Sequence, residues 1–236
     1  VAGRREEDFT LDVDAAIALI REEQPAVVFL PSPNNPTGTA LPISAVEQIL
    51  AAARTSGPDG AATVVVVDEA YAEFRREGTP SALSLLAANQ HLAVTRTMSK
   101  AFGMAGARLG YLAAAPALVD MLRIVRLPYH LSAVTQAVAL AALAHTDELM
   151  AQVASLRAER DALVEWLDLH GLDAVPSDAN FVLFGKFKDR HAIWQSLLDA
   201  GILIREVGPD GWLRVSIGTP DETAAFKAAL VEVLGA

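Results

Sequence analysis

Three short polar clusters in this 236-residue chain hold the side chains best suited to chemistry, and each follows a run of apolar, often β-branched residues. The first, Asn34-Asn35-Pro36-Thr37-Gly38, carries two amides. The second, Asp68-Glu69-Ala70-Tyr71, sets two carboxylates beside a phenol. The third, Thr97-Met98-Ser99-Lys100, is an amine preceded by two hydroxyls, with the guanidinium of Arg108 eight positions further on. Open α/β sheets place their ligands just beyond the carboxyl ends of strands, which is where all three fall. Each also has a plain explanation. Asn, Pro and Gly are ordinary turn residues, Asp68 could cap the start of a helix, and Thr97 to Lys100 could be a solvated loop. The order of the clusters along one chain is a stronger signal than any of them alone.

The elements that must position these clusters alternate in type. Val13, Ile17 and Ile20 recur at helical spacing within Asp12 to Glu22, and Ala26 to Leu30, after Pro25, reads as a buried strand. Pro42 suits a first helical position, and Val46, Ile49, Leu50 and Ala53 form the apolar stripe of a helix that ends before Gly57-Pro58. Thr63 to Val67 is a second buried strand running into Asp68. Further strands are predicted at Leu92 to Thr95 and Leu109 to Ala113, with a helix after Pro116 and a break at Pro128. The alanine-rich stretch Ala133 to Leu169 favours helix throughout, with a kink near His145-Thr146-Asp147. Beyond it the rhythm changes, with strands at Asn180 to Phe184, Gly201 to Val207 and Trp212 to Ile217, and helices at Arg190 to Ala200 and Pro220 to Leu234. This pattern predicts an α/β domain with a mostly parallel sheet over residues 1–145. A small C-terminal α+β domain over residues 146–236 includes the long connecting helix.

Bulk composition narrows the function classes. A net charge of -10 leaves no basic surface to neutralise nucleic-acid phosphates. The apolar residues come in short runs such as Ala62 to Val67, far below bilayer-spanning length, so no membrane association is expected. With no cysteine there is no thiolate nucleophile and no cysteine-ligated metal, and no metal site is expected. The chain begins Val1-Ala2-Gly3-Arg4-Arg5 without an initiating Met, so the lack of a signal peptide carries little weight; the cytoplasm is the default location.

Read together, SPNNPTG, VVDEAYAEF, TMSKAFGMAGARLGY and LRVSIGTPDE resemble the cofactor site of the fold-type-I aminotransferases, and within them the histidinol-phosphate aminotransferase group. The motifs keep the family's order over nearly the whole chain. The resemblance implies a fold-type-I large domain with pyridoxal 5'-phosphate as cofactor. Lys100 then holds the cofactor aldehyde in a Schiff base and, once displaced, is a base beside the carbon whose proton moves. Asp68 faces the pyridine nitrogen and keeps it protonated. Asn35 and Tyr71 meet the phenolic oxygen. Thr97, Ser99 and Arg108 take the phosphate, where Gly103 and Gly106 let the backbone approach closely. Arg214, alternating to the face opposite Leu213 and Val215, stands where the family grips the substrate's α-carboxylate, next to Asn35 on the substrate side. Arg205 helps to hold a substrate phosphate in the histidinol-phosphate group; a surface ion pair with Glu206 is the alternative. Asn180 matches the pattern without an assigned role.

The implied reaction exchanges an amino group between histidinol phosphate or imidazole-acetol phosphate and glutamate or 2-oxoglutarate, in histidine biosynthesis, within a homodimer. Three alternatives share the motifs: an aromatic amino-acid aminotransferase, a decarboxylase of similar sequence, and a cofactor-binding regulatory module without turnover, which the acidic balance opposes. The resemblance starts partway into the family's large domain. An N-terminal part with a phosphate loop, a ring that stacks on the pyridine and a tyrosine offered to the neighbouring subunit is therefore expected to be missing. The 236 residues alone are expected to bind cofactor weakly and to lack activity.

Overall fold

The computed structural model describes residue 3 and residues 5–235, so Val1, Ala2, Arg4 and Ala236, at the ends of the two expected domains, lie outside the described residues. The chain groups into two compact units. The first comprises Val1–Ser32, Ala40–Ala72 and Glu77–Leu149; the second comprises Pro33–Thr39, Glu73–Arg76 and Met150–Ala236.

In the first unit β1 (Val27–Pro31), β2 (Val64–Asp68) and β3 (Leu92–Thr97) run parallel, and β4 (Gly110–Ala114) returns antiparallel to β3, in the order β1-β2-β3-β4. The mostly parallel α/β sheet read from the sequence is present. Branched side chains favour these strands because they pack well on a pleated surface. Alternation sends Leu30, Val65, Val67, Leu92 and Val94 to one face, where they meet Ile20 of α1 (Val13–Glu23) and Val46, Ile49, Leu50 and Ala53 of α2 (Ile43–Ala53). The helix spacing of three and four that predicted α2 is the spacing of its buried residues. The Asp12 carboxylate starts α1 by accepting the Ala15 N–H at 2.9 Å. After α3 (Pro116–Val125), α4 (Ala133–Ala144) ends at His145 and α5 (Thr146–Leu169) begins, so the expected kink is a division between two helices.

The second unit holds an antiparallel sheet, ordered β5 (Asp173–Ala174), β6 (Phe181–Gly185), β7 (Trp212–Ser216). Every residue of β6 is buried, which is why its sequence shows no alternation. Val182, Phe184, Leu213 and Val215 share a core with Leu163 and Leu167 of α5, Leu197 of α6 (Arg190–Asp199), and Phe226 and Leu230 of α7 (Pro220–Leu234). The strand expected over Gly201 to Val207 does not form. Only Arg205 pairs with β7, exchanging both backbone hydrogen bonds with Arg214 at 2.9 Å. The next rung is blocked because Trp212, which would face Val207, donates its N–H to the Pro209 carbonyl at 3.1 Å. Trp194 Nε1 donates to the Ile204 carbonyl at 3.1 Å, and Arg190 Nη1 donates to those of Gly208 and Pro209 at 3.1 and 2.7 Å.

No helix among the described residues is long and apolar enough to cross a membrane. The last helix, α7, is closed by a reciprocal cap: the Thr219 side chain accepts from the Glu222 N–H at 3.3 Å, and the Glu222 carboxylate accepts from the Thr219 N–H at 2.7 Å. Thr219→Ala is expected to cost about 1 kcal/mol in urea unfolding while Thr219→Ser costs little. Equal losses from both would show that the hydroxyl does not cap α7.

Candidate active site

The carboxyl ends of β2 and β3 carry the first group of candidate residues, all in the first unit. Asp68 ends β2 opposite Thr95, whose hydroxyl donates to Asp68 Oδ1 at 3.1 Å. It is a strand terminus rather than a helix cap, since a turn and a short 3-10 segment at Ala72–Phe74 follow it. Tyr71 is buried in that turn, and Lys100 Nζ lies 5.4 Å from the centre of its ring. Lys100 itself is exposed, and among the described residues its amine meets this ring and no carboxylate.

The turn after β3 brings Thr97 and Ser99 together. The Ser99 N–H donates to Thr97 Oγ1 at 3.1 Å and the Thr97 hydroxyl donates to the Leu109 carbonyl at 3.4 Å, so Thr97 shapes the turn that presents Ser99 and Lys100. Gly103 closes the same turn through its N–H to the Lys100 carbonyl at 3.0 Å, with φ at 64°, a region that favours glycine. Arg108 is exposed and left-handed at φ 50°, and its Nη1 donates to the Ala105 carbonyl at 2.9 Å. Among the described residues it shares no hydrogen bond with Thr97 or Ser99.

Asn35, Arg205 and Arg214 belong to the second unit. The loop that bears Asn35 is tied by the Asn34 N–H to the Thr39 carbonyl at 2.9 Å and by the Gly38 N–H to the Asn34 carbonyl at 2.8 Å. Gly38, at φ 77°, has Ser177 where a Cβ would stand, so no larger residue fits. Arg214 Nη1 donates to Asn35 Oδ1 at 2.5 Å, and the Arg214 guanidinium sits 4.8 Å from the Phe181 ring centre. Opposed residues of an antiparallel pair project to one face, so the backbone bridge of Arg205 and Arg214 brings two cations together. Asn180 contributes its backbone carbonyl to the Ile217 N–H at 2.9 Å.

Residues outside the sequence motifs hold this arrangement. Asp178, buried, accepts the Arg76 N–H at 2.9 Å and its Nη2 at 3.0 Å, while its own N–H donates to the Gly38 carbonyl at 2.7 Å. It therefore joins the Asn35 loop to the segment at residues 73–76. Arg160 of α5 is wholly buried and its Nη1 donates to the carbonyls of Phe74 at 2.5 Å and Ala179 at 3.2 Å. A signal for Arg160 was available: with Val153, Leu163 and Leu167 it falls on the buried stripe of α5, where a charge needs partners. For Asp178 no local pattern exists, because Arg76 lies 102 residues away.

The sequence profile for aminotransferase class I and II matches residues 1–230. The chain is 65% identical over 231 residues to the histidinol-phosphate aminotransferase of Thermobifida fusca, covering 98% of this chain and 61% of that relative. It is 60% identical to histidinol-phosphate aminotransferase 3 of Burkholderia lata, covering 98% of this chain and 60% of that one. Its structure matches the histidinol-phosphate aminotransferase of Sinorhizobium meliloti in complex with pyridoxal-5'-phosphate at TM-score 0.85 and 30% identity, over 100% of this chain and 64% of that one. It also matches aspartate aminotransferase from Thermus thermophilus with maleate at TM-score 0.77 and 27% identity, over 97% and 60% of the two chains. The chain thus spans about 61% of the length of the first of these relatives.

Burial pushes the Asp178 carboxyl up, but the hydrogen bonds and charge of Arg76 outweigh burial and hold it below the usual carboxylate range. Because the folded value is the lower one, the stabilisation is complete above the unfolded value, about 3.9, and is lost as pH falls through the folded value. Urea unfolding followed from pH 7 to pH 3 is expected to show the unaltered chain losing more stability below about pH 4 than Asp178→Asn. A difference between the two that stays constant across this range would show that Asp178 does not titrate with folding.

Proposed function

Because this chain belongs to the class I and II aminotransferases, we propose that it serves pyridoxal-phosphate-dependent transamination between histidinol phosphate or imidazole-acetol phosphate and glutamate or 2-oxoglutarate, a step of histidine biosynthesis. The observation that carries this reading is the exposed amine of Lys100, 5.4 Å from the buried ring of Tyr71 and just past the strand end where Thr95 orients Asp68. An amine clear of carboxylates, an oriented carboxylate, a phenol, and a hydroxyl-bearing turn followed by an arginine fit by type the aldehyde, pyridine nitrogen, phenolic oxygen and phosphate of pyridoxal phosphate.

When bound, that cofactor supplies an electron sink for negative charge at the substrate's α-carbon. Lys100 would hold it and, as a free amine, would be the base that takes and returns the α-proton. Asp68 holds a proton at the pyridine nitrogen because a nearby anion favours the cationic form. Tyr71 would donate to the phenolic oxygen and Thr97, Ser99 and Arg108 would receive the phosphate, while Asn35 is of the type to donate to the same phenolic oxygen. In this reading residues 1–145 are the large cofactor-binding domain, residues 146–236 the small C-terminal one, and the working enzyme a cytoplasmic homodimer.

The bridged pair Arg205 and Arg214 supports a substrate with two anionic ends. Like charges directly opposed across a strand pair repel, and an anion relieves them. Arg214, held by Asn35 and Phe181, suits the α-carboxylate, which leaves Arg205 for a phosphate. The names of the Thermobifida and Burkholderia relatives support the same substrate.

Reductive trapping tests the reading without needing turnover or tight binding. The chain is incubated with pyridoxal phosphate, reduced with borohydride and mapped by peptide mass; the label is expected on Lys100, and Lys100→Ala is expected to lose it. Label confined to Lys186, Lys188 or Lys227 would refute the central assignment. Arg205→Leu is expected to weaken histidinol phosphate by about 2 kcal/mol, roughly thirtyfold, in calorimetric titration with cofactor present, and to leave glutamate little changed. Equal losses for both ligands would make Arg205 structural.

A further inference from the structure

Strand alternation separates the two neighbouring carboxylates at the end of β2. Asp68 shares a face with Thr95, so Glu69 turns to the other face, as does Arg96 of β3. There the two meet in a buried ion pair: Arg96 Nε and Nη2 reach Glu69 Oε2 at 2.9 and 2.6 Å, with the side chains only 2% (Glu69) and 12% (Arg96) exposed. Glu69 also accepts the Ser81 hydroxyl at 2.7 Å and the Ala82 N–H at 2.7 Å, and Arg96 Nη2 donates to Ser81 Oγ at 3.2 Å. None of these groups has a part in the chemistry proposed above.

From this geometry we infer that Glu69 and Arg96 are positioning residues, which lock the ends of β2 and β3 so that Asp68 and the Thr97–Lys100 turn keep a fixed separation. The inference rests on the cofactor reading above. The last backbone bond between the two strands is the Glu69 N–H to the Thr95 carbonyl at 2.9 Å; past it β2 offers β3 no further rung. The ion pair begins where that ladder stops, with Glu69 one residue after Asp68 and Arg96 one residue before Thr97. A buried ion pair adds little net stability over apolar residues of similar volume, whereas two guanidinium nitrogens converging on one carboxylate oxygen, with Ser81 and the Ala82 N–H holding that carboxylate, fix distance and direction. A lock therefore accounts for charges at this place better than a stability role does. Small displacements of groups around a reacting centre are costly: about 1 Å can change rates a hundredfold.

The competing role is local, since Glu69 also anchors the 3-10 segment Ala82–Ala88 through Ser81 and the Ala82 N–H. The test compares the unaltered chain with Glu69→Met/Arg96→Met, which replaces both charges by apolar chains, with Arg96→Lys, which keeps the charge but loses the two converging nitrogens, and with Ser81→Ala. Two quantities are read: the unfolding midpoint without cofactor, and the pyridoxal phosphate concentration that gives half-maximal borohydride trapping on Lys100. The double variant is expected to unfold near the unaltered midpoint yet to need about tenfold more cofactor, and Arg96→Lys about threefold more. Ser81→Ala is expected to lower the midpoint with little change in trapping. Unchanged half-trapping in folded Arg96→Lys and in the double variant overturns the inference, as does a loss of trapping that only follows the loss of folded protein. If the double variant does not fold, Arg96→Lys decides alone. An unaltered chain that is never labelled on Lys100 overturns the cofactor reading and the positioning role with it; trapping that is normal there and normal in the variants overturns the positioning role alone.

Discussion

Strand alternation at one position governs the first unit's candidate site. Because neighbouring residues of a strand face opposite ways, the adjacent carboxylates of Asp68 and Glu69 cannot share an environment. One meets a threonine hydroxyl and stays partly open; the other is buried against Arg96. Parallel pairing with β3 then sets the level at which each finds its partner, since Asp68 pairs with Thr95 and the Glu69 N–H with the Thr95 carbonyl. The turn that carries Lys100 starts two residues later. A slip of one residue in that register would exchange the roles of the two carboxylates and remove both arrangements.

The second unit depends on a different device. Two of its segments, Pro33–Thr39 and Glu73–Arg76, come from the first half of the sequence and have no ladder of their own in which to satisfy their backbone groups. Buried carbonyls need donors, and here side chains and loop backbone supply them: Arg160 for Phe74, and the Asp178 N–H for Gly38. Burial lowers the Arg160 guanidinium from its usual value, while the neighbouring Asp161 opposes that shift. Its donors have carbonyls and a carboxylate to meet. Asn35 reaches Arg214 because its loop is held this way and because Gly38 leaves room for Ser177.

Several elements were legible along the chain because their causes are local. The α2 stripe, the valine run of β2 and the division of the long helix at His145 follow from periodicity and propensity within one window. The segment Gly201 to Val207 was not, although its composition favours a strand. Its outcome turned on Trp212, whose N–H goes to the Pro209 carbonyl instead of to Val207, and no window on the segment contains these two partners.

Family membership and the types of group available at the candidate site were in the sequence itself, carried by Asn35, Asp68, Tyr71 and Lys100 in their order, because a motif is a statement about neighbours along the chain. Which groups meet was decided only by the tertiary structure. Arg214 finds Asn35 across 179 positions and Arg76 finds Asp178 across 102, separations over which no hydrophobic period or turn preference carries information. Glu69 lies between the two cases. Its place in the second cluster was plain, but whether it was a surface acid or one half of a buried pair depended on β3 arriving in register, with Arg96 on the face that alternation had assigned to Glu69.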